Sequence, residues 1–369
     1  MFTSIKNGTT PLWMRILVLL AGVLLGLGLS WLWSRSRQTA NKPSTPNPQN
    51  PAPASVLYLS PTGGEAQLWV MELETRQARQ LTDFAGEVTG FSPAPDGSAV
   101  TVTLRSPAGN SSLQMVDLRS GGTSTLVDCG SARCESPAWS ITESVAFIRS
   151  QSENPAEDGL WVIDAFAPDR DPVLLRQGNL SSPTWSPEGS LLAVLDHDAS
   201  LIRLIDPATE DENVLPTSMG VMGAWSPETG GFVFVDLELS FEPIGRLFRV
   251  DFISGNIIAL EPEGYDEADF SGLAWSPRGD RIAASVRRSG EGQGRQLVLF
   301  DPDGENLEVL AGDLDAVYGG ARWNDEGVML TFQRFDLNAA DEGPSIMLWR
   351  EGAGVELLVE HGFLPAFLY

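Results

Sequence analysis

Side-chain chemistry needs residues of the right type within reach of one another, and this sequence offers few such sets. Its 369 residues include two histidines, His197 and His361. They are far apart in the chain, and neither has a partner at metal-ligand spacing. His197, flanked by Asp196 and Asp198, reads as an exposed histidine at a strand end rather than a proton-transfer site. No Gly-x-Ser-x-Gly elbow is present to raise a nucleophilic serine on a strained turn. Asp301-Pro302-Asp303-Gly304 opens like a calcium loop, but that loop needs glycine sixth and glutamate twelfth, where Asn306 and Gly312 stand. A hairpin turn explains it better. Two acidic runs, Asp266-Glu267-Ala268-Asp269 and Asp313-Leu314-Asp315, precede strands and could line one rim of a larger fold; plain solvation is the simpler reading. With 49 acidic residues, chance carboxylate pairs are unavoidable, so glycosidase-like pairs carry no information. No catalytic residue, metal or cofactor is expected.

Two smaller groups remain. Cys129 and Cys134 are the only cysteines and fall in an expected loop, where their spacing could close a small disulfide ring in an oxidising compartment. Two sulfurs without a nearby histidine make an incomplete zinc set. Arg287, Arg288 and Arg295 form the one dense basic cluster of the acidic region, and the loop that carries them is expected to contact an acidic partner or polymer. The charge is uneven. Residues 1–55 hold five basic side chains and no acid, whereas the remainder holds 19 basic and 49 acidic residues. Such a surface repels phosphate backbones, so no nucleic-acid partner is expected.

What must position these groups is a repeat. Trp185-Ser186-Pro187-Glu188-Gly189 returns as Trp225-Ser226-Pro227-Glu228-Thr229-Gly230 and as Trp275-Ser276-Pro277-Arg278-Gly279. Phe91 opens a looser copy, Trp139 and Trp323 open degenerate ones, and Phe367 aligns with them at the end of the chain. The spacing of 40 to 50 residues marks a repeat architecture. The anchors from Phe91 to Trp323 are each followed by a turn, mostly marked by Pro or Gly, and an alternating apolar run, such as Leu191–Leu195 or Arg281–Val286, which reads as a strand. A second run often ends in Asp and a turn, as in Asp251-Phe252-Ile253-Ser254-Gly255. Four strands per unit and seven units predict an all-β, seven-bladed propeller, with six or eight blades as the alternatives. The chain enters at Val56 on the strand after an anchor and finishes on a strand containing one, so the C-terminal strand is expected to close the first blade. The anchor aromatics are expected to pack between neighbouring blades.

The Trp-Ser-Pro-x-Gly phrase with its following strand resembles the repeat of the TolB-type propellers, relatives of the WD-repeat proteins. The resemblance covers residues 56–369. It implies the fold and says little of activity, because that repeat serves binding proteins, peptidase propellers and lyases alike. The histidine cluster of the oligogalacturonate lyases has no counterpart here.

The N-terminus divides into a short tail (1–11), an apolar stretch (12–33) and a proline-rich linker (34–55). About 20 apolar residues suffice to cross a bilayer as a helix. Trp13, Trp31 and Trp33 lie near the ends of the stretch, and no small-residue cleavage site follows it. A retained signal anchor in the cytoplasmic membrane is expected, with the propeller outside, periplasmic or extracellular. The expected function is a non-catalytic scaffold binding a protein or ligand through its unlike loops. The alternatives are an enzyme on carbohydrate or cell-wall polymer using channel carboxylates, and an accessory subunit of a membrane complex.

Overall fold

Residues 54–368 are described by the computed structural model of the chain, apart from 63, 168–170, 229, 239–243, 266–267 and 289–291. The expected tail, the membrane anchor and residues 34–53 of the linker lie outside the described residues. Among those described, no helix is long and apolar enough to cross a membrane.

Alternation along each strand explains the architecture. Val56 and Tyr58 join one apolar cluster, with Ile346 and Leu348. Leu57 and Leu59, between them, join another, with Val88 and Val100. Successive side chains of a strand point to opposite faces, so a strand apolar at every position needs a neighbouring sheet on both sides. Seven four-stranded antiparallel sheets meet that need, arranged as a seven-bladed propeller. The inner strands are Phe363–Leu368, Glu87–Pro93, Arg133–Trp139, Leu180–Trp185, Ala224–Trp225, Ala268–Trp275 and Ala316–Trp323, for blades one to seven. The core is divided among the seven seams between blades.

The seven anchor aromatics supply one large side chain to each seam. Phe91 packs between blades one and two, Trp139 between two and three, Trp185 between three and four, and Trp225 between four and five. Trp275, Trp323 and Phe367 serve the remaining three. The indole N–H often crosses the same seam. That of Trp185 donates to the carbonyl of Ala138 (3.0 Å), that of Trp225 to Thr184 (3.1 Å) and that of Trp323 to Ala274 (3.0 Å). In each case the acceptor precedes the previous blade's own anchor. Phe91 has no such donor; one residue on, the Ser92 hydroxyl accepts from the Trp139 amide (3.0 Å). Trp275 instead reaches Gly279 in its own turn (3.4 Å). It faces the shortest inner strand, Ala224–Trp225.

Antiparallel pairing gives the propeller two unlike rims. Turns from inner to second strand and from third to outer strand share one rim, here the turn rim. Loops from second to third strand and connections between blades share the other, the loop rim. On the turn rim the Ser-Pro-x-Gly residues form a bonded turn. The amide of Gly189 donates to Ser186 O (2.8 Å), and the Ser186 hydroxyl accepts from Leu191 N (3.0 Å). Gly189 has φ 70°, and a Cβ there would lie 2.6 Å from Ser140 Oγ in the adjacent blade's turn. The glycine thus serves both the left-handed backbone and the approach of the next turn. The hairpin turns at the other strand pair close on aspartates: Asp117 accepts from the amides of Arg119 and Ser120, and Asp251 from those of Ile253 and Ser254.

Closure follows the expected scheme. Phe363–Leu368 pairs antiparallel with Ser55–Ser60, matching Ser55 to Leu368, Val56 to Phe367 and Leu57 to Ala366. Several strand ends differ from the sequence reading. The second strand of blade seven continues to Asp336, and that of blade six to Arg288, into stretches expected to be loops. Cross-strand pairs with the inner strands extend the ladder there, Asp269 to Arg287 and Ala316 to Asp336.

Candidate functional site

Regular turns fill one rim, so the unlike side chains gather on the other, above all around blades six, seven and one. The three arginines expected to form a partner-binding loop are here. Arg287 and Arg288 close a strand, and the Arg287 guanidinium pairs across the ladder with Asp269 (3.1 Å). Arg288 lies over the Tyr265 ring (5.1 Å) and donates to Gly264 O (3.4 Å). Arg295 is turned inward. Its guanidinium bonds Asp269 Oδ2 (2.8 Å), the Asp269 carbonyl (2.9 Å), Ser271 Oγ (2.7 Å), Ser285 Oγ (3.0 Å) and the Ser285 carbonyl (3.1 Å). Its backbone also bridges to blade seven: Arg295 N donates to Ala316 O, and Tyr318 N to Arg295 O, both 3.0 Å. Arg295 therefore ties blades together instead of offering a free cation, as carboxylate and carbonyls saturate its fixed fork of donors.

A second polar node sits on blade seven. The Tyr318 hydroxyl donates to Asp313 Oδ2 (2.7 Å) and accepts from Arg334 Nε (3.3 Å). Arg334 also pairs with Asp336 (3.2 Å) and approaches Asp313 (3.8 Å). Burial, with the Asp313 carboxylate behind it, pushes the Tyr318 phenol above its ordinary value. The bond that Arg334 donates to Tyr318, together with Asp336, holds the guanidinium more firmly protonated than usual. Beside this node lies an open cleft of about 510 Å³, solvent at its mouth included, lined by Arg334, Asp336, Glu342, Ser345, Glu360 and His361 among others. Two connections meet there: His361 Nδ1 lies 2.7 Å from the carbonyl of Glu342, and Thr62 of blade one reaches the same carbonyl (3.4 Å). The cleft can hold a small polar or cationic group against carboxylates. Ser345 and His361 both line it, but no hydrogen bond joins them among the described residues; the His361 Nδ1 is engaged with Glu342 O.

The other expected residues are dispersed. His197 contacts the Ser181 hydroxyl (2.8 Å) on blade four. Asp266 and Glu267 lie outside the described residues, while Asp269 and Asp313 are taken up by the two nodes above. Among the described residues no three metal-ligating side chains gather. Cys129 and Cys134 are joined by a disulfide with Cα atoms 6.1 Å apart. They do not sit in a loop as expected. Cys129 is the last residue but one of the outer strand Thr123–Gly130 of blade two, and Cys134 is the second residue of the inner strand of blade three, so the bond staples two blades. Both are buried in the seam. Sequence reasoning missed Arg334, Asp336, Glu342 and Glu360. They are ordinary charged residues spread over one strand end and two connections, and the visible signal was the apolar residue set between acids in Asp313-Leu314-Asp315.

Comparison with known proteins agrees with this division between clear fold and unmarked site. No protein-family model matches the chain, and no curated protein matches it in sequence. Solved structures do. A prolyl endopeptidase is similar at TM-score 0.63 and 13% identity over 84% of this chain and 49% of its own. Puromycin hydrolase is similar at 0.60 and 15%, over 85% of this chain and 54% of its own. TolB from Acinetobacter baumannii is similar at 0.53 and 14%, over 86% and 68%. The chain thus spans about half the length of the endopeptidase and the hydrolase. At such identities the likeness is one of fold: the chain is a β-propeller with TolB-like structural neighbours.

Proposed function

We propose that the chain is a membrane-tethered, extracytoplasmic propeller that binds a protein or ligand on its loop rim, without catalysing a reaction. One observation carries this reading. The turn rim is built from repeated, self-bonded turns, whereas the loop rim around blades six, seven and one carries charged nodes, a cleft and unlike loops. Rigid scaffolds display specificity on such variable connections. The disulfide supports an oxidising compartment. The apolar stretch 12–33 supports the tether. Arg295 is held inside the fold, so an acidic partner would have to meet the strand end at Arg287 and Arg288.

Photo-cross-linking in membranes tests the reading. A photoreactive phenylalanine analogue is placed at Ser152 or Leu337 on the loop rim, and at Glu188 or Ile253 on the turn rim. The same partner should be captured from loop-rim positions only. Equal capture from both rims, or capture from the turn rim alone, refutes it.

A further inference from the structure

We propose that the corner of the loop rim formed by blades six, seven and one docks a peptide segment of a partner protein in which Arg or Lys alternates with large apolar side chains. This rests on the platform reading above and specifies the partner's chemistry.

Four large apolar residues are exposed at this corner: Leu314 (63%), Phe335 (41%), Leu337 (40%) and Leu364 (43%). They come from three chain segments held together by backbone contacts. The Leu337 amide donates to Asp315 O (2.8 Å), next to Leu314. Phe335 pairs with Val317. The Leu364 amide donates to Gln333 Oε1 (2.9 Å), two residues before Phe335 on the same strand face. Elsewhere Val173, Val214, Val309 and Leu357 stand singly on the outer strands of four different blades, while Ile253, Ile257 and Ile258 form a second exposed group on the outer hairpin of blade five, drawn from one chain segment instead of three. Single exposed apolar residues need no explanation, but a rim-bounded group marks an interaction surface.

Charge selects the occupant. Asp313, Asp315, Asp341, Glu342 and Glu360 are exposed around the apolar group. Arg334 reaches Asp313, but Asp315, Asp341, Glu342 and Glu360 make no ion pair among the described residues. A cationic segment is drawn to this field, and an acidic one is repelled. A second copy of this chain, acidic over the same region, fits poorly. An extended segment presents alternate residues to opposite sides, so one side can cover Leu314, Phe335, Leu337 and Leu364 while the other meets the carboxylates. The cleft beside Glu342 and Glu360 suits a guanidinium, which carboxylates hold through paired bonds.

The test is fluorescence anisotropy of the full chain in detergent micelles with a short labelled peptide alternating Arg and Leu. Two control peptides replace Arg by Glu or Leu by Ser. Both controls should bind at least about tenfold more weakly. The double variants Leu337→Ser/Leu364→Ser and Asp315→Lys/Glu360→Lys should each weaken the Arg-Leu peptide by about tenfold, with thermal midpoints unchanged. The same charge change on the turn rim, Glu143→Lys/Glu188→Lys, should leave the Kd within about twofold. Equal weakening by the turn-rim variant means attraction by net charge alone, and overturns the proposal. So does equal binding of the Leu-to-Ser peptide. Dimers dissolved by Leu337→Ser would show a second copy on the corner, and tighter peptide binding after deletion of residues 34–53 would show the chain's own segment there; either result overturns it too. If a partner cross-links from Ser152 but not from Leu337 in membranes, the platform reading stands and this inference fails.

Discussion

The two rims are made from the same strands and obey different rules. On the turn rim each residue type has a local task. Ser186 accepts a backbone bond, Gly189 takes the left-handed conformation, and Asp117 and Asp251 tie down hairpin amides. Neighbouring turns touch, so Gly327 has no room for a Cβ beside Ser276 Oγ (2.7 Å) and Arg278. On the loop rim the connections have no shared pattern, and polar side chains bond in arrangements that occur once, as at Arg295 and at Tyr318. Uniformity on one side fixes the spacing of the blades. The other side is thereby free to vary in sequence without losing the fold.

Substitutions at the seams and turns should therefore hurt stability, and exposed loop-rim substitutions should not. The largest effect is expected from Phe367→Ala or Trp323→Ala, each emptying a seam at a cost of about 3–5 kcal/mol in chemical denaturation. A midpoint within error of the parent would break the comparison at its root. Arg295→Ala is the informative exception on the loop rim. It takes from Asp269 the closer of its two arginine partners, leaves several carbonyls without theirs and should cost about 2–3 kcal/mol, whereas Arg287→Ala, half exposed, should stay within about 0.5 kcal/mol. Trp185→Phe keeps the ring but removes the bond to Ala138. It should cost about 1 kcal/mol, while Trp275→Phe, whose indole bonds only its own turn, should cost less.

The smallest expected effect is a slope with pH. The backbone bond from Ser120 holds the Asp117 carboxyl below the usual carboxylate range, and that from Ser254 does the same for Asp251. Their native pKa values lie below the unfolded ones. The stability they contribute is thus present above about pH 4 and is lost as pH falls through the native values. Thermal midpoints measured from pH 6 to pH 2 should fall less steeply in Asp117→Asn/Asp251→Asn than in the parent. An identical slope would remove these turns from the account of acid sensitivity.

The same contrast explains what could be read before folding. Trp185, Trp225 and Trp275 announce blades because a seam position recurs with one requirement, and its neighbours Ser, Pro and Gly recur with it. The pairing of Phe367 with Val56 followed from counting those copies. Arg295 misled because an arginine buried in a polar network and one exposed on a loop are the same letter, and only the fold reveals Asp269 and Ser285 beside it. Cys129 and Cys134 were close enough in sequence to pair, yet their place between two blades needed the strand ends to be known. The cleft was illegible: Arg334 and His361 meet only because blade seven and the closing strand lie side by side.

Ser55–Ser60 also determines how the domain bears load. Six residue pairs join it to Gln67–Glu72 on one flank, and four more join it to Phe363–Leu368 on the other. A pull applied at Ser55 along the axis of this strand would meet partners on both sides. The ladder bonds stand perpendicular to that axis, so they are strained together in shear instead of being unzipped one at a time. A propeller hung from an outer strand would peel. This one would resist as a unit until the first blade slips between its neighbours.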